Sequence, residues 1–379
     1  MKNIKKSFSK EPVDFVLLVI VFIMLALGII MVMSASAPTS LAKTGNSYKY
    51  VKTQAFSAVL GIIAMLVISN IDYKIYKKFD RLIYGVVIVL LASVALVGAE
   101  EGGAKRWIDL GFINFQPSEV AKIGLIIFYA SLLTKNKDRI GEMWGGFFYP
   151  LLWLLPVIGI LIVVQNHLSA TLLIIMIVSI MMLMAGSRLR YFLTFGTAGA
   201  VAGALALFVY AKLTGEGWFR ITRLITFLDP FADTLGDGWQ VVQSLYAIGS
   251  GGLFGVGLGN STQKYAYIPE AHNDFIFSII AEELGFLGCT FVIVLFALFI
   301  WRGIIIAMKA PDMFGSLIAV GITSMVGLQA IINIAVVTSS MPNTGMPLPF
   351  FSYGGTSLLI LLCEIGVLLN ISRATNSGT

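Results

Sequence analysis

The sequence predicts an all-α integral membrane protein, with ten transmembrane helices and one large extracellular loop between helices 7 and 8. Three observations carry this expectation. Hydrophobic residues make up 58% of the 379 and charged residues 12%, against roughly 25% charge in soluble domains. The apolar residues gather into ten runs, each close to the ~20 residues a helix needs to cross hydrocarbon. Lys and Arg are dense in alternate loops, as the positive-inside rule requires. The chain reads as one polytopic domain over 1–379, with an N-terminal tail 1–12, a loop at about 212–273 and a C-terminal tail 372–379.

The runs are 13–33, 51–69, 82–98, 118–134, 147–164, 170–186, 191–211, 274–300, 315–337 and 351–371. Unbroken apolar segments of this length argue for helices. Lys2, Lys5, Lys6 and Lys10 precede the first, and Ala35-Ser36-Ala37 follows it like a signal-peptide cleavage site. The run is longer than a signal core, so it reads as a retained span. Lys74, Lys77, Lys78 and Arg81 follow the second run, Lys135, Lys137 and Arg139 the fourth, Arg188 and Arg190 the sixth, Arg302 and Lys309 the eighth. The opposite loops hold Lys43, Lys49, Lys52, Lys105 and Arg106. Both termini are therefore expected in the cytoplasm, the 212–273 loop outside, and Asp274 at the outer mouth of the eighth span. The net charge of +6 follows from orientation and anionic headgroups and does not call for nucleic acid. Cys289 and Cys363 sit within apolar runs as small packing residues, outside any disulfide or metal pattern.

Chemistry-bearing residues concentrate on the outer side. Pro269-Glu270-Ala271-His272-Asn273-Asp274 holds two carboxylates and one of the two histidines, directly before an apolar run. Asp274 has two readings. It is a helix N-cap, for which Asp is favoured, or a base whose proton affinity rises with partial desolvation. Gly102-Gly103-Ala104-Lys105-Arg106-Trp107-Ile108-Asp109 sets two cations beside a Trp, suited to a phosphate at headgroup depth or to an ordinary interfacial belt. Gln116-Pro117-Ser118-Glu119 starts a helix that places Glu119 and Lys122 on one face, as a structural ion pair or as part of a site. Glu364 falls near the inner third of the last run and reads as a helix-packing anchor.

Met341 to Phe350 contains three prolines and leads into Phe351-Ser352-Tyr353-Gly354-Gly355-Thr356-Ser357. Such non-helical backbone is tolerated beside a membrane where protein or a wet cavity covers it. The run Gly249 to Gly259 lacks the Gly-Lys-Ser/Thr ending of a phosphate loop, so a bent interfacial loop whose backbone approaches lipid is expected. His167 reads as a hydrogen-bonded turn residue. No Ser-His-Asp set, HExxH or cysteine cluster is present, and no internal repeat points to an inverted-repeat transporter.

These segments, with Glu282-Glu283-Leu284-Gly285 and Pro347-Leu348-Pro349-Phe350, resemble the SEDS family of peptidoglycan polymerases, the FtsW/RodA/SpoVE type, over essentially the whole chain. The Asn273 and Asn343-Thr344-Gly345 positions are more similar to the division or sporulation branches. The resemblance implies joining of lipid II units into β-1,4 glycan strands at the outer face of the bacterial cytoplasmic membrane, with Asp274 as the catalytic carboxylate. Residues expected to contact substrate are Lys105, Arg106, Trp107, Glu119, Lys122, Glu270, His272, Ser352 and Tyr353. A divalent cation, Mg2+ or Mn2+, is a candidate for neutralising the diphosphate. The implied partner is a class B penicillin-binding protein, a transpeptidase packed against helices 8 and 9, among other divisome proteins. Two departures stand out. Asn166-His167-Leu168-Ser169 replaces a Pro-Asp-Leu-Gly common in the family, and Thr344 stands where some members have Lys. The alternatives are a lipid II flippase, with Glu119, Lys122 and Glu364 along its path, and a non-catalytic division scaffold.

Overall fold

The computed structural model describes residues 12–101, 104–109, 114–214, 227–232, 234, 236 and 238–376. Every apolar run is helical: α1 (Phe15–Thr44), α2 (Lys49–Ile68), α3 (Asp80–Val97), α4 (Pro117–Lys135), α5 (Trp144–Val164), α6 (Leu168–Ala185), α7 (Thr197–Thr214), α9 (Ile276–Lys309), α10 (Met313–Val337) and α11 (Gly355–Asn376). The amphipathic α8 (Trp239–Ser250) is added between α7 and α9. Among the described residues nine helices, all of these except α7 and α8, are long and apolar enough to cross a membrane.

Several boundaries differ from expectation for identifiable reasons. Asp14 caps α1 by accepting from the Leu17 amide at 2.9 Å, and Gly45 ends it in the left-handed conformation. The helix thus runs on through Ala35, Ser36 and Pro38 to Thr44, because its serines are buried against neighbours; Ser34 donates to Glu283 at 2.7 Å. The C-terminal segment expected as a tail remains helical to Asn376. The region before α4 is a small antiparallel sheet, a departure from a wholly helical chain: β1 (Ala99–Glu101), β2 (Ala104–Asp109) and β3 (Asn114–Phe115), in that order. In the register of β1 and β2, Glu100 is the backbone partner of Lys105.

Helices in lipid associate through close packing at small residues. α2 lies along α11, where a side chain on Gly366 would strike the Met65 carbonyl. α10 is the hub, touching α9, α6, α4 and α11, and most of its apolar window is buried, as is that of α4.

The glycine-rich run is bent, and its backbone docks on protein. It folds against a break in α9, where Gly285 takes φ 68° and ψ −165°, a conformation open essentially to glycine alone. A break inside a membrane helix strands amides and carbonyls that lipid cannot satisfy. The run supplies the partners. Val256 and Gly257 amides donate to the Glu282 and Glu283 carbonyls at 2.9 and 3.1 Å, and Phe286 and Leu287 amides donate to the Gly252 and Leu253 carbonyls at 2.9 and 3.2 Å. Side chains reinforce the joint. Lys264 pairs with Glu283 at 2.9 Å, both buried, while Glu282 accepts from the Ser261 hydroxyl at 2.5 Å and the Thr262 amide at 2.9 Å. Part of the expected 212–273 loop is thereby built into the bundle; its residues 215–226 lie outside the described residues.

Candidate active site

The Glu270–Asp274 segment is a turn that closes on itself. Glu270 takes φ 50°, and its carbonyl accepts from the Asn273 amide at 2.8 Å. Its carboxylate accepts from Asn273 Nδ2 at 3.1 Å and from Lys43, at the end of α1, at 2.5 Å. The position capping α9 is Phe275, whose own side chain makes no cap bond. Asp274 is therefore not the N-cap, and one of its two readings falls.

Asp274 is half-buried, on backbone fixed from two sides. Asn333, inside α10, donates through its two amide hydrogens to the Asp274 and Met346 carbonyls, each at 2.7 Å. Ser352 Oγ donates to the Asn273 carbonyl at 2.5 Å and accepts from the Leu348 amide at 2.7 Å, while the Tyr353 amide donates to the His272 carbonyl at 2.9 Å. Gln54 of α2 holds this second segment, donating to the Ser352 carbonyl and accepting from the Gly354 amide, both at 3.1 Å. Gly345, at φ 65°, borders the carboxylate; a Cβ there would lie 3.5 Å from Asp274 Oδ2. The side chain thus meets bare backbone on that side.

His272 is buried and stacks on Tyr50 at 4.8 Å, which meets Tyr353 edge-on at 4.9 Å. Burial pushes the His272 pKa down; Glu270, 3.4 Å from Nε2, opposes this, and Lys43 adds to it. Burial also pushes the Tyr353 phenol up. A neutral imidazole wedged between Glu270 and an aromatic ring orients the turn. Ser352 and Tyr353 likewise act here through the bonds that seat the Asn273 and His272 backbone.

The hairpin joins the same end of the bundle. Arg106 donates to the Asn166 carbonyl at 2.8 Å and the Gln165 carbonyl at 3.4 Å. These are carbonyls at a helix C-terminus, which have no intrahelical donor. The guanidinium expected on phosphate thus fastens the hairpin to the α5–α6 turn, while Lys105 is exposed and Trp107 half-buried. Ser169 continues the chain of contacts by donating to the Thr344 carbonyl at 2.5 Å, and Thr356 donates to the Asn114 carbonyl at 2.8 Å. So the 104–109, 165–169, 269–274 and 341–356 segments are linked at one end. Gly102 and Gly103 lie outside the described residues.

His167 is a hydrogen-bonded turn residue, as expected, through its main chain: its amide donates to the Leu161 carbonyl at 2.8 Å and its carbonyl accepts from the Thr171 hydroxyl at 2.9 Å, while its buried Nδ1 has no hydrogen-bond partner among the described residues. Burial first, then Arg106 and Lys122, push its pKa down to about 3. Glu119 and Lys122 pair at 2.9 Å inside the bundle. They lie within electrostatic reach of Glu364, whose buried oxygens have no hydrogen-bond partner among the described residues. Because α11 starts at Gly355, Glu364 lies about 14 Å down the helix at 1.5 Å per residue, near mid-span and not in the inner third. Among the described residues no three His, Cys, Asp or Glu side chains are grouped to hold a metal ion.

The sequence reading missed Lys43, Tyr50, Gln54 and Asn333. For Asn333 a signal existed, since a polar amide inside an apolar run is costly and therefore has a task.

The family described as "Cell cycle protein", FtsW/RodA/SpoVE, matches residues 15–377. Stage V sporulation protein E of Bacillus subtilis is 41% identical over 96% of this chain and 98% of its own length. The probable peptidoglycan glycosyltransferase FtsW of Geobacter sp. (strain M18) is 40% identical over 96% and 97%. Among solved structures, a chain of a peptidoglycan synthase complex that coordinates polymerization and crosslinking superimposes with TM-score 0.78 at 30% identity, over 96% of this chain and 98% of that one. The rod shape determining protein RodA of Thermus thermophilus superimposes with TM-score 0.70 at 28% identity, over 95% and 97%. Full-length matches in sequence and fold lead to one conclusion: this chain belongs to the FtsW/RodA/SpoVE family.

Proposed function

We propose that this chain is a peptidoglycan glycosyltransferase that polymerises lipid II into β-1,4 glycan strands, in cell division or sporulation. The observation that carries the proposal is Asp274 itself: a half-buried carboxylate that caps no helix, on a turn over-determined by Asn333, Ser352, Tyr353 and Lys43. A group held this firmly suits catalysis, which depends on fixed geometry.

In the reaction Asp274 accepts the proton of the acceptor's sugar 4-hydroxyl as that oxygen attacks C1 of the donor. The C1–O bond to diphosphate breaks with inversion, so an α-linked donor yields a β linkage. General-base assistance of this kind is worth about 10²- to 10⁴-fold. Charge on the departing diphosphate falls to exposed Lys105 and the cations near it, by electrostatic stabilisation. Glu270 and His272 hold the turn.

The family resemblance and the Lys/Arg distribution support both termini in the cytoplasm and the Asp274 end outside. A tenth crossing by α7 is part of this reading. Ser187, after α6, bonds Gly146 at the start of α5, the end opposite His167, yet 269–274 lies at the His167 end. One more passage of the bilayer between them satisfies both. The partner is a class B penicillin-binding protein, packed through a single helix against the eighth and ninth spans, α9 and α10.

Purified chain incubated with lipid II in detergent, with and without such a partner, is expected to yield polymer on a gel. Asp274→Asn is expected to yield none while retaining its thermal unfolding midpoint. Polymer from Asp274→Asn at the wild-type level would refute the assignment. The trio of half-buried Glu119 with buried Lys122 and Glu364 favours a second reading, a lipid transporter. That reading requires activity in sealed vesicles and none in detergent.

A further inference from the structure

At the end of the bundle opposite Asp274, a cavity of about 150 Å³ opens between the start of α1, the last turns of α9 and the end of α11. Its lining divides by chemistry. Asp14, Arg302, Lys309 and Ser372 form a polar wall, and Phe15, Val16, Ile305 and Ile306 an apolar one.

The polar wall offers donors. Asp14 would repel an anion if its oxygens were open, but Oδ1 accepts from the Leu17 amide at 2.9 Å. Its Oδ2 accepts from both Nε and Nη2 of Arg302. A guanidinium carries five N–H donors, so two bonds to Asp14 leave donors over. Lys309 is exposed at the rim. The Phe15 and Val16 amides belong to the first turn of α1 and have no intrahelical acceptor; the helix dipole there favours negative charge. Net charge across the four polar residues is +1, from Arg302 and Lys309 against Asp14.

The apolar wall selects among anions. Phe15 is 72% exposed and Val16 47%, and on α9 beside the lining residues Trp301 is 54% and Met308 80% exposed, apolar side chains on helices that face hydrocarbon. A free phosphate gains nothing from that surface. A phospholipid gains from both walls, with its phosphodiester among the donors and an acyl chain along α1 and α9. Basic pockets between membrane helices at this depth suit such headgroups.

We propose that this cavity binds the headgroup of one anionic phospholipid, joining the start of α1 to the end of the helix whose other end follows Asp274. The site is independent of the polymerase reading, which its failure would leave standing.

The test is native mass spectrometry of the full chain from detergent containing equimolar phosphatidylglycerol and phosphatidylcholine. One phosphatidylglycerol is expected to be retained in preference. Lys309→Gln, an exposed substitution that leaves the Asp14–Arg302 pair alone, is expected to reduce retention about 5-fold, the worth of one basic side chain at an anionic surface. Lys78→Gln, an exposed cation at the same end but outside the cavity lining, is the control and is expected to change nothing. Equal retention of the two lipids, wild-type retention by Lys309→Gln, or an equal loss in Lys78→Gln would each overturn the site. Displacement by inorganic phosphate would overturn the lipid as its ligand.

Discussion

At the residue scale, Asn333 shows how one amide can set the position of a carboxylate it does not touch. Its two N–H groups bridge the Asp274 and Met346 carbonyls, tying the base to the proline-rich segment facing it. Asn333→Leu keeps the volume but leaves two carbonyls without donors, at about 1–3 kcal/mol each. It also frees the turn to shift. Displacement by ~1 Å at a reacting group costs up to ~10²-fold in rate. The expected result is a fall in polymerisation rate approaching that factor, with lipid II affinity near wild type. A variant with unchanged rate would show that the turn holds without the bridge. His167 gives a residue-scale pH prediction. Its folded pKa, about 3, lies below the ~6.5 of an exposed imidazole. The unfolded chain therefore takes up a proton that the folded chain refuses, and stability contributed above pH 6.5 is lost as pH falls toward 3. At pH 5 the difference is at most about 2 kcal/mol. His272 is shifted in the same direction, so removing one ring recovers part of the loss. Unfolding midpoints at pH 7.5 and 5 should lie closer together in His167→Gln than in wild type.

At the element scale, α9 is two helices joined at Gly285 and mended by the 251–264 segment. Gly285→Ala meets two obstacles. Its φ and ψ lie where a side chain costs about 1–3 kcal/mol, and the new Cβ would enter the Leu253 and Gly255 backbone. Lys264→Met removes one partner of the buried pair and strands Glu283, a change worth about 3–5 kcal/mol. Both variants are expected to lower the unfolding midpoint, and the loss in Lys264→Met should shrink when Glu283→Gln is added. A double variant no better than the single one would show that the pair is not the cause. This joint also marks where sequence reading stops. Apolar runs name their own helices because lipid forces every span to satisfy its backbone internally, so ten helical segments were legible to within a few residues, apart from the far ends of α1 and α9. The docking of Gly251–Gly259 was not legible, because its partners are the carbonyls and amides of a break that no local pattern announces. The candidate site divides in the same way. Asp274, Glu270 and His272 stood out as charged residues at the edge of hydrocarbon. Lys43 and Gln54 did not, because their roles depend on helices distant in sequence meeting at one end.

At the scale of the whole molecule, the hydrogen bonds fix which loops share an end, and the proposed tenth crossing rests on that. Arg106, Asn166, Thr344 and Asn114 are tied together by direct bonds or by Ser169 and Thr356. Lys43 and Glu270 meet at the same end. At the other end Tyr73 bonds Asp312 and the Asn370 side chain, and Ser187 bonds Gly146. In the proposed topology the chain leaves α6 at the second end, reaches Glu270 at the first and passes through the bilayer in between by α7, about 27 Å long at 1.5 Å per residue. The prediction is made with single cysteines in a Cys289→Ser, Cys363→Ser background. Asn46→Cys and Tyr267→Cys, on exposed positions at the Asp274 end, are expected to react with a membrane-impermeant maleimide in intact cells. Lys78→Cys and Lys137→Cys are expected to react only after permeabilisation. If Tyr267→Cys labelled with the Lys137 set while Asn46→Cys labelled from outside, α7 would not cross. The Asp274 turn would then face away from Lys43, against a bond that joins the two segments directly, and the proposed orientation of the site would be lost.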